Sequence, residues 1–448
     1  MKPILFNSFF VLILIITTIS VGTAGDIRSS GLKGYWDADS TWELGIKPNN
    51  GDNVIIADND TVTFNIPLDS NATLINLTVG TNAMFRTSRR IITGLTIFGD
   101  LNVSSGGAFK VQNRDTGALA PLDLIHELHI YGNILHNGSV FDMRTGTAST
   151  VPSVSTLASI HVFFEGSANN TVTINGSYTT TNNDFNAITI NKTGTGRVVL
   201  GNNLYINGGS SSQPNGQPYL TFKRGIVETG NYTFVHLTRT DTLMRPGSDS
   251  SYVLGAMGRG ITDSKGGSKP FYVGDEFGYR PVKVYTTTPG TGAGHHIIVR
   301  VIHADANTGS STLNGNIDKI SKVRYFKVSY HNVGAGAPTM EVAKMNLSYG
   351  LDDGIRGGNY DLRVAYSKDE RLNWNGIAEL DSHKTNLTSS LLPRSITPDS
   401  IRPFITLNAN STDCIYTALA DTNGGLNPLD GTVGGFSVPS RNISFGNV

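Results

Sequence analysis

The feature that most constrains how this chain can fold is a phrase that it carries twice. Leu95-Thr96-Ile97-Phe98-Gly99-Asp100-Leu101 returns further along as Leu128-His129-Ile130-Tyr131-Gly132-Asn133-Ile134. In both copies the apolar residues fall on every second position, as in a β-strand with one buried face. A glycine follows, where a chain turning a corner benefits from having no Cβ. A third copy, Ile160-His161-Val162-Phe163-Phe164-Glu165-Gly166, follows the second at nearly the same interval. Strand-and-corner units that recur so regularly predict a solenoid, in which each coil buries its face on the next.

With 448 residues the chain has room for more than one domain. The segment 1–24 reads as a cleaved signal peptide. Lys2 supplies a positive start, Phe9 to Ile16 is an unbroken apolar run, and Gly22-Thr23-Ala24 offers small residues for cleavage. No later stretch is apolar enough to span a bilayer, so an extracellular or cell-surface location is expected. Cys414 is the single cysteine, which excludes an intramolecular disulfide. Lys plus Arg and Asp plus Glu number 35 each, so no net field draws the chain to nucleic acid. Thirteen Asn-X-Ser/Thr triplets occur, and Asn at coil corners accounts for them as well as glycan attachment does.

Residues 25–258 are expected to form the parallel β-solenoid. Trp36 and Trp42 near its start read as a cap over the first coil, with a sugar-stacking platform as the alternative. Strand-like segments follow, and their spacing shortens by about half downstream, which reads as smaller coils or missing excursions. A polar, Gly-rich stretch at 259–269 reads as a junction. Longer strands of antiparallel character then predict a β-sandwich over 270–448, making the whole chain all-β.

The opening Trp…Ser-Thr-Trp…Pro-x-x-Gly-Asp-Asn-Val-Ile-Ile resembles the eight-glycine type of β-solenoid module. Further phrases include Phe185-Asn186-Ala187-Ile188-Thr189-Ile190, Gly225-Ile226-Val227-Glu228-Thr229-Gly230 and Arg324-Tyr325-Phe326-Lys327-Val328. Together with Ser348-Tyr349-Gly350-Leu351-Asp352-Asp353-Gly354 they are similar to large exported surface proteins of Bacteroidetes and related bacteria. That resemblance implies a solenoid paired with a sandwich, and export by the type IX route. It also implies a C-terminal sorting domain, to which nothing up to Val448 corresponds.

Catalytic groups are harder to find. Pectin-lyase-like enzymes need carboxylates or a basic residue converging on one face, often with calcium. Here no pair of Asp residues recurs at coil spacing, and Arg86, Arg89 and Arg90 have no acidic counterpart nearby in sequence. His126 and His129 point to opposite faces, as do His295 and His296, so neither pair can chelate one ion. The loops at Asp305 and Asp421 read as turns without the downstream Glu of a calcium-binding EF-hand loop. No cofactor is expected.

A non-catalytic structural or adhesive surface protein is the leading expectation. The C-terminal strand carrying Phe436, Val438, Ile443 and Phe445 would either complete the chain's own sandwich or be donated to a neighbour in self-association into a filament or layer. The alternative is binding of a surface polysaccharide by Phe98, Tyr131 and Phe163, expected to stack as equivalent outward residues of the three phrases. A polysaccharide lyase or hydrolase is the third reading.

Overall fold

The computed structural model describes residues 25–116, 123–146, 156–176, 178, 183–207, 219–237, 244–261, 267–288, 294–315, 317–333, 338–349, 351–353, 362–376, 394–396 and 405–421. The expected signal peptide and the C-terminal segment with Phe436, Val438, Ile443 and Phe445 lie outside these residues. The structure is 59% strand and 3% helical turn. The strands form one mixed sheet of 26 strands and two sheets of five.

The repeated phrases pair with each other. The Leu124–Ile130 strand runs parallel to Gly94–Ile97 on one edge and to Ala158–Gly166 on the other. This register puts Leu95, Leu128 and Val162 in one column, continued by Ile188, Leu220 and Met244. A second column holds Leu74, Ile97, Ile130 and Phe164. All of these side chains are buried in one core cluster. Alternation supplies an apolar residue at every level, and in-register parallel pairing stacks each on its equivalent.

Corner glycines are required by close approach. A Cβ on Gly132 would lie 2.1 Å from the carbonyl oxygen of Gly99, and one on Gly99 would lie 2.3 Å from Asn76 Oδ1. A polar ladder runs along the same corner. Asn76 Nδ2 donates to Asn53 Oδ1 at 2.9 Å, Asp100 N–H donates to Asn76 Oδ1 at 2.7 Å, and Asn133 Nδ2 donates to Asp100 Oδ1 at 2.9 Å.

A separate parallel sheet runs through Gly34–Tyr35, Thr61–Phe64, Met84–Thr87, Ala108–Lys110 and Val140–Asp142. Its inner face is a phenylalanine stack. The Phe85 and Phe109 ring centroids are 4.9 Å apart, Phe109 and Phe141 5.9 Å, and Phe141 and Phe185 5.2 Å. Trp36 and Trp42 close one end, edge-on at 5.0 Å, with Trp42 Nε1 donating to the Trp36 carbonyl. Both indoles are buried, which suits a cap and removes the sugar-stacking alternative for them.

The shorter downstream spacing does not mean smaller coils. Ile188 pairs with Leu220 and Val198 with Val227, so each level still takes up about as much chain as Leu95 to Leu128 does upstream. Neighbouring strands belong to different ladders, and the shorter interval only separates one ladder from the next.

Pairing changes direction within a single strand. Val253–Gly260 is parallel to Ile226–His236 on one edge and antiparallel to His295–Ile302 on the other. Beyond it the pairing is antiparallel in His295–Ile302, Tyr325–Asn332 and Cys414–Asp421. A five-stranded antiparallel sheet carries Val282–Thr288 and Thr339–Tyr349, and its buried Val284, Met345 and Leu347 join the main core cluster.

Candidate functional site

Phe98 and Tyr131 lie level with each other at the ends of paired strands, Tyr131 N–H donating to the Ile97 carbonyl. Their ring centroids are 5.0 Å apart and tilted by 43°, and Phe98 is 53% exposed.

Phe163 does not continue this stack, contrary to the expectation from the three phrases. The Ala158–Gly166 strand sits two positions out of the register that the phrases suggest, which places Phe163 level with His129 and Thr96. Its ring lies flat against the His129 imidazole at 4.5 Å and 7°, and against His161 at 4.3 Å and 20°. The residue that follows Tyr131 in its column is Glu165, one step beyond the Ile130–Phe164 pair.

Around these rings sits a charged group that sequence reading missed. His129 Nε2 is 3.3 Å from Glu127 Oε2, and His129 Nδ1 is 3.0 Å from Glu165 Oε2. Glu165 Oε1 also accepts from Asn191 Nδ2 at 3.0 Å. The His129 hydrogen bond holds Glu127 below the usual carboxylate range, against burial. Burial raises Glu165, but hydrogen bonds from His129 and Asn191 outweigh it and leave it lowered. Burial by itself lowers His129, yet its hydrogen bonds to both glutamates and their charges raise it overall. His129 and Glu165 are too far apart along the chain to form a local motif; only the strand register brings them together.

Other sequence candidates are placed as follows. His126 is buried and Thr93 N–H donates to its Nδ1 at 3.1 Å, with burial pushing its pKa down to about 3. His295 Nδ1 bonds the Tyr330 hydroxyl, and His296 packs against His331. Asp305 Oδ1 accepts from Asn307 N–H at 2.8 Å, an ordinary Asx turn. The Asp421 loop beyond Asp421 itself lies outside the described residues. Among the described residues no group of three His, Cys, Asp or Glu is arranged to hold a metal.

Two expectations about charge need correction. Arg90 does have an acidic partner, Asp115 Oδ2 at 2.9 Å, just beyond the neighbouring parallel strand. An aspartate pair also recurs across neighbouring levels, because Asp142 and Asp184 face each other across a parallel bridge. The excursion between them is longer than the one between the first two phrases, which hides the match from any fixed period. Burial pushes Asp142 up to about 6 and Asp184 up to about 7, and the Asp142 charge adds to the Asp184 shift.

The Asp184 shift carries a pH prediction. An acid whose folded pKa lies above its unfolded value of 3.8 destabilises the fold as pH rises from about 4 to about 7. Asp184→Asn is therefore expected to stabilise the protein by on the order of 2–3 kcal/mol at pH 8. The gain should vanish near pH 4, and urea melts of both forms at the two pH values check it.

Comparison with protein-family models, curated proteins and solved structures found no match for this chain.

Proposed function

We propose that this chain is a secreted, non-catalytic adhesive surface protein, a β-solenoid followed by a β-sandwich, that holds a surface polysaccharide against the Phe98–Tyr131 face. The observation that carries this reading is the Phe98–Tyr131 pair, an exposed ring beside a half-buried one, with the Glu165 carboxylate next to Tyr131 and held by His129. Aromatic faces stack on the C–H face of a sugar ring, while fixed carboxylates accept its hydroxyl protons. The apolar columns and the repeated phrases support the solenoid, and the five-stranded antiparallel sheet sharing one core cluster with the antiparallel part of the mixed sheet supports the sandwich. The start of the sequence supports export. The resemblance to exported bacterial surface proteins agrees with each of these points.

Glycan-array binding tests the reading. Phe98→Ala and Tyr131→Ala are each expected to weaken binding about tenfold, equal to about 1.4 kcal/mol of lost stacking. Full binding by both variants would overturn it. Phe163→Ala should weaken binding less, because Phe163 is taken up by His129 and His161.

A further inference from the structure

A second, chemically different surface lies on the outer face of the sheet that carries the phenylalanine stack. Register there sets Tyr35, Thr63, Arg86 and Lys110 side by side across successive strands. Beside them opens a groove of about 730 Å³, lined among others by Tyr35, Asp37, Arg86, Arg89, Arg90 and Gln112.

The three arginines are held in the same way. Arg86 Nε donates to Thr63 Oγ1 at 3.0 Å, Arg89 Nε to the Asn113 carbonyl at 3.1 Å, and Arg90 Nε to Asp115 Oδ2 at 2.9 Å. Each bond fixes the guanidinium plane through its inner nitrogen. Among the described residues, none of the Nη atoms of these three arginines makes a hydrogen bond to the protein. Arg86 and Arg89 also lack an ion-pair partner among the described residues, whereas Arg90 is neutralised by Asp115. A guanidinium held at Nε with both Nη free presents a flat fork that matches a carboxylate or sulfate. Tyr35, 59% exposed at the same groove, offers a ring for a sugar to lie on. Asp37 is held by Asn65 Nδ2 at 2.7 Å, leaving its carboxylate to accept sugar hydroxyls.

We infer that this groove binds an acidic polysaccharide, with anionic groups of the sugar chain on the Arg86 and Arg89 forks and a sugar ring over Tyr35. The mixed lining argues for a saccharide and against a plain polyanion. A surface that reads phosphates alone has no use for Asp37 and Asp115 beside its arginines. The inference does not depend on the Phe98–Tyr131 face, which lies on a different sheet.

The test titrates the full mature chain with four probes: a short oligogalacturonate, a sulfated dextran, neutral dextran and oligothymidylate. Oligogalacturonate or sulfated dextran should bind, with affinity falling as salt rises, and the tighter of the two identifies carboxylate or sulfate as the preferred group. Arg86→Gln and Arg89→Gln should each weaken that binding about tenfold. Arg86→Lys, which keeps the charge and loses the fork, should recover only part of it. Phe98→Ala should leave it unchanged. Thermal melts confirm that the variants fold, since both sites are at the surface. Absence of binding to either anionic sugar would overturn the inference, as would oligothymidylate binding equally well or Arg86→Lys restoring full affinity.

Discussion

Arg324→Ala is expected to lower the unfolding free energy by about 3–5 kcal/mol, because it removes the buried guanidinium that faces three clustered carboxylates. Arg324 is fully buried, and so is Asp353. Its Nε lies 2.9 Å from Asp353 Oδ1 and its Nη1 3.1 Å from Asp275 Oδ2, though neither N–H points squarely at its oxygen. Nη2 reaches Asp352, which Arg280 also contacts. Two guanidiniums thus serve three carboxylates away from water. Removing Arg324 leaves those carboxylates to Arg280 and the partly exposed His303, and desolvation makes each uncompensated charge costly. Urea denaturation of the variant should show a lower midpoint with an unchanged slope. A loss below about 1 kcal/mol would mean that water reaches the cluster and screens it.

Phe141→Ala should cost about as much, roughly 3–5 kcal/mol, for a different reason. Phe141 has no exposed surface and is wedged between Phe109 and Phe185, with the His136 ring at 5.2 Å. Truncation would leave a hole between parallel strands whose backbone spacing is fixed by hydrogen bonds, so little collapse can fill it. Phe98→Ala is the matched control. The same chemical change on a half-exposed ring should alter stability by less than about 1 kcal/mol. Similar losses in the two variants, read from paired denaturation curves, would rule out the buried stack as described.

The sequence revealed the first two repeats at their true register, since Leu128 pairs with Leu95 and Ile130 with Ile97. It misplaced the third by two positions, since Leu128 pairs with Val162 where the phrases align it with Ile160. A strand alternates with period two, so a slip of that size keeps every apolar residue inward and leaves no trace in the pattern. That slip turned Phe163 into a partner for Tyr131, when the chain sets it on His129. The side-chain groups that matter chemically were hidden for a related reason. His129 with Glu165, Arg90 with Asp115 and Asp142 with Asp184 are neighbours only through strand pairing, and insertions of differing length vary the interval between them. Arg324 and its carboxylates draw on several separate segments. What was legible from sequence was the local alternation and the all-β class; what was not was the length of each excursion.

The strand Val253–Gly260 has a mechanical consequence. It is bonded along both edges, to the parallel strand Ile226–His236 on one side and, on the other, to parallel Val273–Asp275 and then antiparallel His295–Ile302. Bending within Val253–Gly260 itself would therefore require breaking sheet hydrogen bonds. Tension applied to the parallel strands would reach the antiparallel ones through the hydrogen bonds of this shared strand.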